Sequence, residues 1–341
     1  MRRLLLAFVC ILAARAADLK VGSATAAPGH RATGFLSIPA GSDAAAEIPV
    51  IVVNGAKPGP TLALVAGAHG TEYASILALE KLAKTLDPGS MTGAVIVVPL
   101  LNVTSFANKV PHLNPVDGKN MNRLYPGKAD GTQTERALTA VAREVVAKAD
   151  YILDFHGGDL DENMRSYAYW AVTGNAELDA KSRAMVLAFG LDHIIMQDFR
   201  QPSPSVTLTR YGAGLGKPSV AVEAGHAGTT HAEDVDALVE GTRSVMRHLK
   251  MLPGDPRPIE RPLWITKYVS VASEREGIFY PLAAPEAYVE KGQRIGYVTD
   301  YFGELQWDAV APMSGVVLYI GALPSMKKGD TIANIGEVGK Q

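Results

Sequence analysis

The chain has 341 residues, 47% hydrophobic and 20% charged, which is enough for a sizeable core in one large domain or two smaller ones. Its 33 basic and 35 acidic residues leave a formal net charge of −2, which gives no electrostatic footing for nucleic acid or an anionic membrane surface. The single cysteine, Cys10, lies in the N-terminal segment, so the chain beyond it has no disulfide, no thiolate metal ligand and no cysteine nucleophile.

In chain order, Arg2 and Arg3 precede a short apolar stretch, and Ala14-Arg15-Ala16 fits a small-x-small cleavage site. This is the pattern of a signal peptide over residues 1–16 and implies a periplasmic or secreted protein. Val9 before Cys10 is too bulky for a lipid-attachment signal, so no membrane anchor is expected after cleavage. Short apolar runs follow at 48–53, 62–66, 94–99, 151–155 and 219–222, with helical patterns at 75–86 and 134–149 between them. Alternation of this kind predicts an α/β domain over residues 17–250, a mostly parallel mixed sheet flanked by helices. Four prolines in residues 251–262 mark a linker. Beyond it the pattern is strand and turn only, which predicts a small all-β domain over residues 263–341.

The chemistry gathers where apolar runs end. In open α/β sheets ligands bind beyond the carboxyl ends of the strands. Residues 62–66 lead to His69 and Glu72, residues 151–155 to His156, and residues 219–222 to Glu223, each beside glycine. Taken singly, each has a plainer account: a capped loop histidine, a first-turn carboxylate at Glu72 with Thr71 as helix cap, a core acid at Glu223. Together, two histidines and a carboxylate make a three-ligand set with one open position, the usual catalytic zinc arrangement. On that reading His69, Glu72 and His156 hold one Zn²⁺ per chain, and Glu223 serves as general acid/base for metal-activated water. No G-x-S-x-G elbow or H-E-x-x-H helix competes with it.

Gly67-Ala68-His69-Gly70-Thr71-Glu72, Asp154-Phe155-His156-Gly157-Gly158 and Val222-Glu223-Ala224-Gly225, with Asn120-Met121-Asn122-Arg123 between them, resemble the succinylglutamate desuccinylase/aspartoacylase family, within the zinc carboxypeptidase superfamily. The resemblance extends to the C-terminal strands and implies a zinc carboxypeptidase-like α/β fold followed by a barrel-sandwich domain. It implies a zinc hydrolase cleaving the amide of small N-acyl amino acids, with the same ligands and the same acid/base. It also implies that Asn122 and Arg123 bind a substrate carboxylate, for which a planar guanidinium is well shaped. Relatives carry an arginine where this chain has His112. Either His112 steadies the oxyanion in its place, or an arginine such as Arg165 or Arg200 reaches in, or this subgroup uses a different acyl group. Tyr280 and Tyr301 are the C-terminal side chains expected to approach the cleft. The partner is then a small molecule, the chain is a possible homo-oligomer, and the rival readings are a metallocarboxypeptidase or amidase acting on cell-wall peptides and a non-catalytic metal- or ligand-binding relative.

Overall fold

The computed structural model describes residues 17–339. The expected signal segment, 1–16, lies outside the described residues. One sheet of thirteen strands runs through the molecule. Its centre is Lys57–Ala66, flanked by Thr92–Val98 on one side and by Tyr151–His156 and then Ser219–Glu223 on the other, all parallel.

The sequence explains why these strands take the centre. Leu62 to Ala66 is buried at every position. Leu62, Leu64 and Ala66 join the apolar core on one face, while Ala63 and Val65 join the core on the other. A strand covered on both faces reads as a continuous apolar run rather than an alternating one. The helices Tyr73–Thr85 and Ala232–His248 pack on the first face, and Gln133–Glu144 on the second. The last of these begins with a reciprocal capping box between Thr132 and Glu135.

The sheet is mixed, its parallel centre bordered by antiparallel pairs. His30–Ile38 and Ala46–Asn54 form an antiparallel hairpin, and Ala46–Asn54 also runs antiparallel to Thr92–Val98. The connection between the first two is too short for the crossover helix that a parallel pair needs. Tyr167–Val172 runs against Ser219–Glu223 and so reverses direction next to the site.

His193–Asp198 continues the sheet outward, parallel to Tyr167–Val172. Leu263–Ala272 then pairs with His193–Asp198 in parallel, through Leu263 to Ile265. The sheet thus passes without a break into the C-terminal strands Thr331–Val338 and Gly315–Gly321. The proline-rich segment before this junction is anchored: Met251 is buried in the main core, and Ile259 N–H donates to Leu187 O at 2.9 Å. Past Leu263 the described chain is strand and turn. A second sheet of four strands, including Gly277–Pro281, Arg294–Thr299 and Leu305–Val310, closes over a core of its own. That core draws Phe279, Ile295 and Val298 from one sheet and Val317, Ile332 and Ile335 from the other.

Candidate active site

Three parallel strand ends converge, and each delivers one part of the site. His156 and Glu223 are the last residues of their strands and stand opposite each other in register. His69 and Glu72 sit in the turn between Lys57–Ala66 and the helix Tyr73–Thr85. Glycine here serves close backbone packing more than ligand approach. A Cβ on Gly157 would lie 2.1 Å from Ala224 O, and one on Gly70 2.3 Å from Phe106 N. These glycines let the loops after neighbouring strands nest against each other.

His69 Nδ1 lies 2.7 Å from Glu72 Oε1, and His156 Nδ1 lies 3.0 Å from Glu72 Oε2. The three ligand atoms fall within 4.8 Å of one another, and all three residues are buried. The far ring nitrogens are engaged by acceptors. His69 Nε2 meets Asn120 Oδ1 at 3.2 Å, and His156 Nε2 meets Asp154 Oδ1 at 3.2 Å. With a cation bound, the His69 ring would carry its proton on Nε2 towards Asn120 Oδ1, and both Nδ1 atoms face the same point as the Glu72 carboxylate. This is the outer support that metal-binding histidines ordinarily have. Burial pushes the Glu72 carboxyl up, but His69 and His156 outweigh it and hold it below the usual carboxylate range. Burial lowers the His156 pKa, but Asp154 and Glu72 outweigh it and raise it well above the usual imidazole range, so a cation would bind by displacing a proton from this cluster. A carboxylate and two imidazoles suit a divalent cation, and the donor set fits a metal.

Thr71 does not cap the helix, which removes part of the plainer account of Glu72 as a first-turn carboxylate. Its hydroxyl donates to Asp159, and no side chain caps Tyr73–Thr85. Asp159 is wholly buried and also accepts from the backbone N–H of His112 at 2.9 Å and of Leu160 at 2.7 Å. It therefore ties the loop after His156 to both the His69 turn and the His112 loop.

His112 packs edge-on to His69, with ring centroids 5.9 Å apart. Its Nε2 donates to Asp161 at 2.9 Å, and its Nδ1 lies 3.3 Å from Asp159. Burial lowers the pKa of this imidazole, but Asp161 and Asp159 more than reverse that and carry it to about 9. It is therefore a cation at neutral pH. Its φ of 60° is a left-handed conformation, held by the Asp159 contact to its own N–H.

The cleft around these residues has a volume of about 590 Å³. Asn122 lines it, with Oδ1 accepting from Leu208 N at 2.8 Å and Nδ2 donating to Asp154 at 3.1 Å, 2.7 Å from His156 Nε2. Arg123 lines it with its guanidinium set against Asn122 O at 2.8 Å. Arg165 and Arg200 are placed elsewhere, paired with Asp192 and Asp198. The arginine that does reach the cleft is Arg210, stacked over Phe199. Tyr280 and Tyr301 are exposed and remote from it; Tyr268, Ser270 and Asn334 are the C-terminal residues in the wall. Arg210 and Asn334 carried no signal in the sequence, because neither lies at a strand end nor in a motif.

Glu223 lines the cleft, with Tyr167 opposite it on one neighbouring strand and His156 on the other. Burial pushes its carboxyl well above the usual range; His156 opposes the shift, while Glu72, Glu162 and Asp154 add to it. Divalent charge at the triad would draw it back down.

With this geometry in view, similarity to known proteins becomes informative. Residues 58–249 match the succinylglutamate desuccinylase/aspartoacylase catalytic domain. The chain belongs to that family of deacylases. An N-alpha-acetyl-L-2,4-diaminobutyric acid deacetylase of Halomonas elongata is 32% identical over 319 residues, spanning 89% of this chain and 91% of that one. The product-bound ectoine utilization protein EutE (DoeB) of Ruegeria pomeroyi is 28% identical, with a TM-score of 0.82 over 90% of this chain and 95% of its own. A succinylglutamate desuccinylase of Silicibacter sp. TM1040 is 26% identical, with a TM-score of 0.83 over 91% of this chain and 95% of its own.

Proposed function

We propose that this family member is a zinc-dependent deacylase that hydrolyses the amide of small N-acyl amino acids. The convergence of His69, Glu72 and His156 within 4.8 Å, with Glu223 facing them, carries the reading. The Halomonas relative, named for deacetylating an N-acetylated amino acid, supports the substrate class.

His69 and His156 through Nδ1 and Glu72 through its carboxylate would hold the cation. A bound divalent ion supplies Lewis acidity, making water more acidic and an acyl carbonyl more electrophilic. Glu223 takes the proton from the attacking water and passes it to the departing nitrogen, so that a carboxylate and a free amine leave. The imidazolium of His112, fixed by Asp161 and Asp159, steadies the developing oxyanion where relatives use arginine. Arg123, helped by Arg210, receives the α-carboxylate, and Asn122 holds His156 and Asp154 in place. The segment 1–16 directs the protein to the periplasm or beyond.

Purified protein offered N-acetyl amino acids is expected to release acetate. It should stop when the metal is chelated and resume when Zn²⁺ is returned. Cleavage of peptides with no turnover of any N-acyl amino acid would favour the carboxypeptidase reading instead. In the same assay His112→Ala is expected to lower kcat by about tenfold or more with its metal content unchanged.

A further inference from the structure

Building on the deacylase reading, we propose that Glu162 receives a side-chain ammonium of the substrate and so selects N-acyl diamino acids over neutral N-acyl amino acids.

Arg123 and Arg210 line the cleft together with Ser203, Ser205 and Thr207, and none of these lines the neighbouring chamber. That second chamber, of about 430 Å³, shares His112, Glu162, Ser270 and Asn334 with the cleft. Among the described residues no lysine or arginine lines the second chamber; its acidic groups are Asp161, Glu162 and Asp330. Glu162 thus stands where the two spaces meet.

It is held there rigidly. Its N–H donates to Asp159 O at 2.9 Å, and its carbonyl accepts from Ala227 N at 2.8 Å. Its strand, Glu162–Met164, pairs with Tyr319–Gly321 of the C-terminal strands, with Glu162 opposite Gly321. A backbone pinned on both sides fixes where the carboxylate points.

That carboxylate forms no salt bridge among the described residues, and its one side-chain hydrogen bond comes from Asp159 N–H at 3.3 Å. The nearest cation, His112, is already engaged by Asp161 and faces Asp159 as well. One imidazolium among three carboxylates leaves the region negative. Burial pushes the Glu162 carboxyl up to about 7; His112 opposes this, and Glu72 and Asp161 add to it. A recessed carboxylate without a partner is costly, and an arriving ammonium would offset that cost. An N-acyl diamino acid carries an amide for the triad, a carboxylate for Arg123 and Arg210 and an ammonium for Glu162. A neutral side chain would leave the half-buried Glu162 carboxylate unpaired, and a site of that kind discriminates between the two.

The test compares kcat/KM for N-α-acetyl-2,4-diaminobutyrate with that for N-acetyl-2-aminobutyrate, which lacks only the amine. The wild type is expected to prefer the diamino compound by about 10- to 100-fold, mainly through KM. Glu162→Gln is expected to abolish the preference while turning over the neutral compound within about threefold of the wild-type rate. Glu162→Asp, which keeps the charge, is expected to retain part of the preference. Equal use of both compounds by the wild type would overturn this inference and leave the deacylase reading intact. So would a Glu162→Gln variant that slows both compounds alike. Absence of turnover on any N-acyl amino acid would overturn the deacylase reading and this inference with it.

Discussion

Replacing Glu223 by Gln is expected to lower kcat by about 1,000-fold or more while the protein keeps its metal. The substitution is nearly isosteric and removes only the ability to accept and return a proton. Glu223 ends the central strand Ser219–Glu223, whose other residues are buried and keep the fold. Position 223 faces the cleft and stands in register with His156, so it lies beside the ligands without belonging to the three-residue set. The outcome therefore separates a proton-transfer role from a ligand role. Near-native turnover in Glu223→Gln, or loss of the metal with it, contradicts the assignment.

The second large effect concerns the metal. His69→Ala is expected to release most of the bound ion and to cut activity by more than about 100-fold. It removes one of three donors, and it frees Glu72 Oε1 and Asn120 Oδ1 from their contacts with the ring. His69 lies in a turn rather than inside a strand, so the sheet beneath it should stay folded. Metal content by elemental analysis and a circular dichroism spectrum on the same sample distinguish ligand loss from unfolding. Full metal occupancy in the variant would show that His69 is not a ligand.

The clustering of the candidate triad was readable in the sequence because parallel strands buried on both faces announce themselves as apolar runs. The residues leaving their ends then share one edge of the sheet. His69, Glu72, His156 and Glu223 all follow from that rule, and the structure brings the first three within 4.8 Å of one another. Residues that reach the site by routes without a local signature stayed hidden. Asp154 precedes His156 by two residues and supports its ring, a relation set by side-chain direction along a strand. Arg210 comes from the helix Leu208–Gly214, and Asn334 from a strand far along the chain.

The run of prolines before Leu263 marks a local break but cannot say which strand the chain joins next. The joining of Leu263–Ala272 to His193–Asp198 carries Tyr268 and Ser270 into the cleft wall, and no local pattern encodes that pairing. Glu162 was overlooked for a similar reason. Three acids within four residues after Gly158 look like a solvated loop, and only the fold shows that Asp159 is buried and that Glu162 faces two chambers.

The most direct measurement is an anomalous-scattering map from crystals of the protein grown with Zn²⁺, recorded on both sides of the zinc absorption edge. The account predicts a single strong peak per chain, within about 2.3 Å of Nδ1 of His69, Nδ1 of His156 and a carboxylate oxygen of Glu72. A peak elsewhere, or none at these three side chains, would contradict it.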